Sequence, residues 1–398
     1  FLRGGGGYVT LSDRTGIGAG SSWGNCGYIC PSHVFPLAKP GALASVLPLM
    51  LRRNSPFCVR PRLDLHLWSW MARFVSCSRR PDLVHVTADA LHALLVASKR
   101  DYLDIIKTES IACGLEELGC LFISMHEEHL DEFSGTNREI QERFGFGAQR
   151  LDGKQLARME PSLRDGLGGA WYFACDAHIR PDAFMTGLGE VLVRQGVKVR
   201  AGVEAVSAEV EGGRVRRIRT NQGDIEADAF VVATGAWTPR LAQITGVRLA
   251  IEPGKGYSLT FARPRVCPRL PMIFEEDRVA VTAFEGGLRL GSLMEFAGYD
   301  ESLRPERLGL LTAGASKYFR EWEAPVGGEA WYGWRPMTPD GRPFVDFAPG
   351  RSNMVLAAGH NMIGMSTGPG TGRLVAEMLS GEETNIDVGK FRVDRDLM

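Results

Sequence analysis

NMVLAAGHNMIGMSTGPGTGRLVAEML, residues 353–379, decides how the chain is read. Asn353–Ala358 is a continuous apolar run, as in a strand buried on both faces. It meets glycines at 359, 364, 368, 370 and 372, and the spacing then predicts an amphipathic helix over Gly372–Leu379. Free N–H groups and the dipole at such a helix start favour an anion. Just upstream lies WYGWRPMTPDGRPFV, residues 331–345, with Arg335 before Pro336 and a tight turn at Pro339-Asp340-Gly341. An arginine held beside a ligand site grips a carboxylate through two parallel N–H···O bonds. The plainer alternative is a surface ion pair.

Two further segments belong with it. DAFVVATGAWTPRL, residues 228–241, is an apolar strand followed by Thr234-Gly235 and a turn, where a backbone without Cβ can approach a cofactor. An ordinary strand-to-helix turn is the alternative. Tyr8–Ser12 reads as a strand ending at Asp13, and an acid there can accept both hydroxyls of an adenosine ribose. A simple turn aspartate is the alternative. Gly16-Ile-Gly18-Ala-Gly20-Ser21 tempts a dinucleotide fingerprint, but its sixth position is Ser21 and no amphipathic helix follows. It reads as an anion-binding or cofactor-edge loop.

Elsewhere, residues 31–64 read as loops and short helices, Leu65–Val75 and Val84–Ile111 as helices, and Gly119–Met125 as a strand. Glu127–Phe144 and the segment from Pro181 to Gln195 read as helices, and residues 204–226 as an antiparallel meander. Residues 251–335 read mostly as strands. The alternation suggests an α/β nucleotide domain interleaved with an antiparallel one.

The 398 residues, 44% hydrophobic and 23% charged, are ordinary for a globular chain and long enough for a sizeable core. Lys+Arg 46 against Asp+Glu 47 leaves a formal net charge of −1, which argues against nucleic acid. Gly, at 48 residues, is about 12% against a norm of roughly 7%, as close backbone approaches demand. The eight Cys contain no CxxC pair and no His at zinc-finger spacing, so reduced thiols and no metal are expected. The longest apolar stretch, Ala42–Leu51, is short of the ~18 residues of a membrane span and contains Pro48. With no signal-peptide pattern at the start, a cytoplasmic protein is expected, with peripheral contact at the inner membrane left open.

Taken together, SSWGNCGYICPSH (21–33), EPSL (160–163), ADAFVVATGAWTP (227–239), PGKGYS (253–258), GWRPMTPDGRPFV (333–345) and GHNMIGMSTGPGTGRL (359–374) resemble the D-amino-acid oxidase superfamily of FAD enzymes. Within it they are most similar to the bacterial D-amino-acid dehydrogenase small-subunit and glycine-oxidase-like group. The resemblance covers almost the whole chain. It implies an α/β plus antiparallel β fold, in which a Rossmann-like FAD domain (1–45, 178–242 and 340–398) interleaves with a mixed-sheet substrate domain (46–177 and 243–339). By resemblance, FAD would meet Asp13 at the ribose and Ala205 at adenine. Ser21, Ser22, Asn25 and Gly27 would run along the pyrophosphate and flavin edge, and Thr234, Gly235 and Trp237 would form the turn. Gly359, His360, Gly364, Met365, Ser366 and Thr367 would form the C-terminal flavin-edge segment. Arg335 would hold the substrate carboxylate, with Tyr257 and Tyr299 as pocket walls.

The implied reaction is oxidation of a D-amino or imino acid by hydride transfer from Cα to the flavin, giving a 2-oxo acid and ammonia after hydrolysis. Its partners would be a small amino acid and an electron acceptor, a quinone or electron-transfer protein ahead of oxygen. Two departures stand out. Only twelve residues precede Asp13, whereas the family places GxGxxG about 20 residues before its ribose acid, so a truncated product or mis-called start is expected. Where glycine-oxidase-like relatives carry a second arginine, this chain has Asn361-Met362-Ile363, which favours the dehydrogenase-like branch and an apolar pocket wall. The rival readings are an FAD enzyme of hydroxyproline, sarcosine or glycine, and a cofactor-free fragment.

Overall fold

Local chemistry marks most element boundaries. Asp64 caps helix α1 (Leu65–Ser78) by accepting from the N–H groups of His66 and Leu67. Proline opens α2 (Pro81–Glu109), α5 (Pro181–Arg194) and α7 (Pro305–Ala315), where its missing N–H costs nothing. Asp152 and Gln155 form a reciprocal capping box at α4 (Gly153–Met159). The remaining helices are α3 (Glu127–Phe144), α6 (Ala242–Thr245) and α8 (Gly364–Ser380).

The computed structural model describes residues 1–2, 4–40, 55–322 and 327–397. Its strands, in chain order, are β1 (Thr10–Asp13), β2 (Tyr28–Ile29), β3 (Phe57–Val59), β4 (Cys120–Ser124), β5 (Gln149–Asp152), β6 (Gly169–Phe173), β7 (Ala177–His178) and β8 (Lys198–Ala201). The meander β9 (Ala205–Glu211), β10 (Arg214–Thr220) and β11 (Gly223–Glu226) leads to β12 (Phe230–Val232). Then come β13 (Glu252–Ala262), β14 (Met272–Phe274), β15 (Val279–Phe284), β16 (Gly287–Phe296), β17 (Glu329–Met337), β18 (Phe344–Ala348) and β19 (Arg351–Ala358).

One large mixed sheet runs β17-β13-β16-β15-β14-β4-β6-β5, with β3 added parallel to β16. Its core gathers Leu121, Ile123, Met272, Phe274, Val281, Leu290 and Leu311, all fully buried. Two parallel pairs are also present: β1 beside β8, and β12 beside β19, with β18 antiparallel on the far side of β19. Among the described residues no strand joins these two small sheets. β1 and β12 therefore each keep one unpaired edge, and residues of both border the same cavity.

Helix α2 lies against α8 and the β18–β19 pair, where Ala90 and Leu94 pack with Val345, Val355 and Leu374. This contact explains the main departure from the sequence reading. Helix α8 starts at Gly364, eight residues before the expected Gly372, and carries Gly368-Pro369-Gly370 inside it. Those residues read as a turn, but Gly370 is a packing surface. A Cβ there would meet Leu94 O and Ser98 Cβ at 3.0 Å. Helix α7 likewise lies in a stretch expected to be mostly strands; Pro305 and Glu306 were its start signal. The reading of residues 41–54, including the apolar run Ala42–Leu51, lies outside the described residues.

Gly370→Val forces a branched side chain into that helix contact. The expected cost is about 1–3 kcal/mol, read as a lower urea midpoint at unchanged slope. A midpoint equal to that of the parent would show that α2 and α8 do not pack this closely.

Candidate active site

The cavity that β1 and β12 border has a volume of about 3160 Å³. Pockets for single small ligands run to roughly 1,000 Å³, so this one has room for a dinucleotide and a substrate together. At the end of β1, Asp13 Oδ1 accepts from Thr15 N (2.7 Å), Thr15 Oγ1 (2.9 Å) and Gly16 N (2.8 Å). These bonds hold the carboxylate at the cavity rim. Ala205, at the start of β9, lines the same space.

The loop after β1 is not helical. Asn25 shapes it: its Oδ1 accepts from Gly27 N at 2.7 Å, and its Nδ2 donates to Ser22 O at 2.8 Å and Ser21 O at 3.3 Å. Gly27 has φ +74°, and a Cβ there would strike Ile179 O at 1.9 Å, so no other residue fits. The Ser21 hydroxyl donates to Trp334 O at 2.5 Å, joining the loop to β17.

The start of α8 closes the cavity from another side. Gly364, Met365 and Ser366 line it, whereas Gly359 and Thr367 do not. Ser366 Oγ donates to Tyr28 O at 2.7 Å, and Tyr102 Oη donates to Met365 O at 2.7 Å. Thr367 Oγ1 turns back to Ile363 O at 2.9 Å. Gly359 instead supplies a positive φ of 85° at the strand end. His360 lines the cavity, and its Nε2 meets Thr371 Oγ1 at 3.0 Å. Burial pushes its imidazole down to about 4, so it is neutral near pH 7. Thr234, Gly235 and Trp237 line the cavity after β12, with Gly235 at φ +52°.

Arg335, on β17, faces glycines. It sits over Gly256, where a Cβ would meet the guanidinium at 2.5–2.6 Å. Its Nη1 donates to Leu293 O and its Nη2 to Ser292 O (3.3 Å). Among the described residues no carboxylate pairs with it. Loss of water pulls it down to about 10, with the Cys26 thiol counteracting. A guanidinium partly withdrawn from water without an acid is costly. An anionic ligand in the cavity would offset that cost.

The expected tyrosine walls are not beside it. In the β13–β17 ladder Tyr257 pairs with Tyr332 and Gly254 with Arg335, so Tyr257 projects from the opposite face. Tyr257 borders the cavity, but its hydroxyl donates to Glu295 and its side chain belongs to the core. Tyr299 does not line the cavity; it stacks on Trp237 at 4.4 Å and donates to Ala236 O at 2.6 Å. Sequence reasoning missed Trp331 and Cys26. Trp331 lies four residues before Arg335 on the same strand face, so the strand's alternation was the available signal. Cys26 reaches Arg335 from a separate loop and gave no signal.

The chain matches the family model described as FAD dependent oxidoreductase over residues 1–378. It is 30% identical over 399 residues to a D-amino acid dehydrogenase of Granulibacter bethesdensis, covering 97% of this chain and 93% of the relative. It is 31% identical over 410 residues to a D-amino acid dehydrogenase of Xanthobacter autotrophicus, covering 99% and 95%. Its fold is similar to that of glycine oxidase from Geobacillus kaustophilus, with a TM-score of 0.80 at 21% identity, over 99% of this chain and 94% of that one.

Gly256→Ala should displace the Arg335 guanidinium. Calorimetric titration with a small carboxylate such as pyruvate is expected to show about tenfold weaker binding, roughly 1.4 kcal/mol. Unchanged affinity would mean that the guanidinium does not meet the ligand in this position.

Proposed function

The chain belongs to this family of FAD-dependent oxidoreductases, and on that premise we propose that it oxidises a D-amino acid at Cα, giving an imino acid that water converts to a 2-oxo acid and ammonia. The observation that carries the substrate class is Arg335, a partly buried guanidinium on the cavity wall with no acidic partner among the described residues. Its planar fork matches a carboxylate.

The donor set suits FAD at both ends of the molecule. Asp13 would take the ribose hydroxyls, Ala205 the adenine edge, and Ser21, Ser22, Asn25 and Gly27 the middle. Thr234, Gly235, Trp237, His360, Gly364, Met365 and Ser366 would take the flavin end, where the α8 N–H groups and dipole favour negative charge. When bound, FAD supplies the two-electron acceptor. Arg335 fixes the substrate carboxylate and so sets which Cα hydrogen faces the acceptor. Met362 and Ile363 supply an apolar wall to the cavity. We assign residues 1–45, 178–242 and 340–398 to the cofactor side and 46–177 with 243–339 to the substrate side, α2 reaching across to pack on α8.

The relatives' name, dehydrogenase, supports reoxidation by a quinone or an electron-transfer protein over oxygen. No helix among the described residues is long and apolar enough to cross a membrane, so a quinone would be met by peripheral contact.

The deciding experiment is turnover with a dye acceptor after FAD loading and desalting, comparing D-amino acids with glycine, sarcosine and hydroxyproline. Reduction by D-amino acids is expected; activity confined to the other three would replace the substrate assignment, and a colourless, inactive protein would remove it. Arg335→Lys keeps the charge but loses the fork, so kcat/KM should fall ~10–100-fold, equivalent to about 1.5–3 kcal/mol. A value within twofold of the parent would sink the carboxylate role.

A further inference from the structure

Three segments remote in sequence meet behind the cavity wall: the loop after β2, the first residue of β4, and the turn between β6 and β7. They bring together Cys30, His33, Cys120 and Asp176. One donor atom from each of Cys30, His33 and Asp176 lies within 4.8 Å of the others. Cys120 lies outside that group, but its thiol is near enough to that of Cys30 for each to perturb the other. Cys30, Cys120 and Asp176 are all at most 1% exposed.

Asp176 is the feature that thiol packing alone does not explain. A fully buried carboxylate is normally matched by a cation. Asp101, Glu252, Glu295 and Asp340 each have an arginine, and Glu160, without one, accepts from the backbone N–H groups of Arg269 and Leu270 and from Ser162 Oγ. Asp176 accepts from Ser32 N (3.1 Å), Ser32 Oγ (2.6 Å) and the Cys175 thiol (3.6 Å) and interacts with the Cys30 thiol, with no arginine or lysine paired to it among the described residues. Burial holds the Asp176 carboxyl and the Cys30 and Cys120 thiols above their ordinary values and the His33 imidazole below its own.

We propose that Cys30, His33, Cys120 and Asp176 form a structural site for a soft divalent cation, best matched by zinc. Two sulfurs, a nitrogen and an oxygen are the donors that zinc takes in tetrahedral sites. Bonds of about 2.0–2.3 Å would draw the donors in to roughly 3.5 Å from one another, a contraction that side-chain rotation can supply. Coordination releases the thiol protons to water. The Ser32 hydroxyl, bonded to Asp176 and 3.3 Å from His33 Nδ1, would orient both ligands. Cys30 and His33 border the cavity, which provides an entry path. The ion would cross-link the loop that carries the Cys30–Ser366 contact to the substrate-side sheet. The proposal is independent of the substrate assignment.

Cobalt(II) titration of the reduced, metal-free full chain tests it, read as difference spectra so that bound flavin cancels. One equivalent should give a thiolate-to-cobalt charge-transfer band with intense tetrahedral d–d bands, and zinc should displace it. Cys30→Ser and His33→Gln should each lose the signal while keeping parental circular dichroism and cooperative unfolding. Cys267→Ser, a distant thiol, should keep it. Zinc should raise the Tm of the parent and not that of Cys30→Ser. No band, a band that survives in both Cys30→Ser and His33→Gln, or a mass showing a Cys30–Cys120 disulfide under reducing conditions would overturn the site.

Discussion

The Ser366 hydroxyl holds this architecture together where it matters most. It donates to Tyr28 O and accepts from Cys30 N, groups 338 and 336 residues away along the chain. A single hydrogen bond contributes only about 0.5–1.5 kcal/mol. Its importance is positional: it sets the first turn of α8 against β2, where the loop after β1 ends, so that the helix start and that loop face one cavity. Tyr102 extends the same junction by holding Met365 O from helix α2. Gly370 then lets α2 and α8 approach to backbone distance.

The large sheet does a different task. It offers β17 as a rigid strand on which Arg335 stands, and it paves the ground beneath the guanidinium with glycine. The carbonyls of Ser292 and Leu293 satisfy part of the fork, and Leu293 reaches this geometry at a positive φ of 58°. Backbone strain of that kind survives only where the surroundings enforce it. The proposed substrate anchor is thus held by the sheet, while the proposed cofactor residues sit on loops and helix ends.

Much of this was readable before any coordinates. Strands β1, β12 and β19 and helices α3 and α5 stand where periodicity and proline placed them, because each shows its burial pattern within its own span. Arg335 could be singled out because its neighbours, a proline and a tight turn, are local. The failures share a cause. Whether Tyr257 faces Arg335 depends on the register between β13 and β17, which no single strand encodes. Gly368-Pro369-Gly370 carries turn chemistry, and only the approach of α2 makes it helical packing. The Cys30, His33, Cys120 and Asp176 cluster is assembled from three distant segments, so spacing rules written for neighbours could not find it.

The burial around Arg335 also determines how the site responds to acid and base. Its guanidinium is lowered to about 10, the Cys26 thiol beside it is raised to about 11, and His360 is lowered to about 4. The first stays charged below its value, the second stays protonated below its own, and the third stays neutral above its own. From about pH 5 to 9 none of the three changes state. Over that range the proposed carboxylate grip would keep a constant charge, so binding of a carboxylate there would be level with pH.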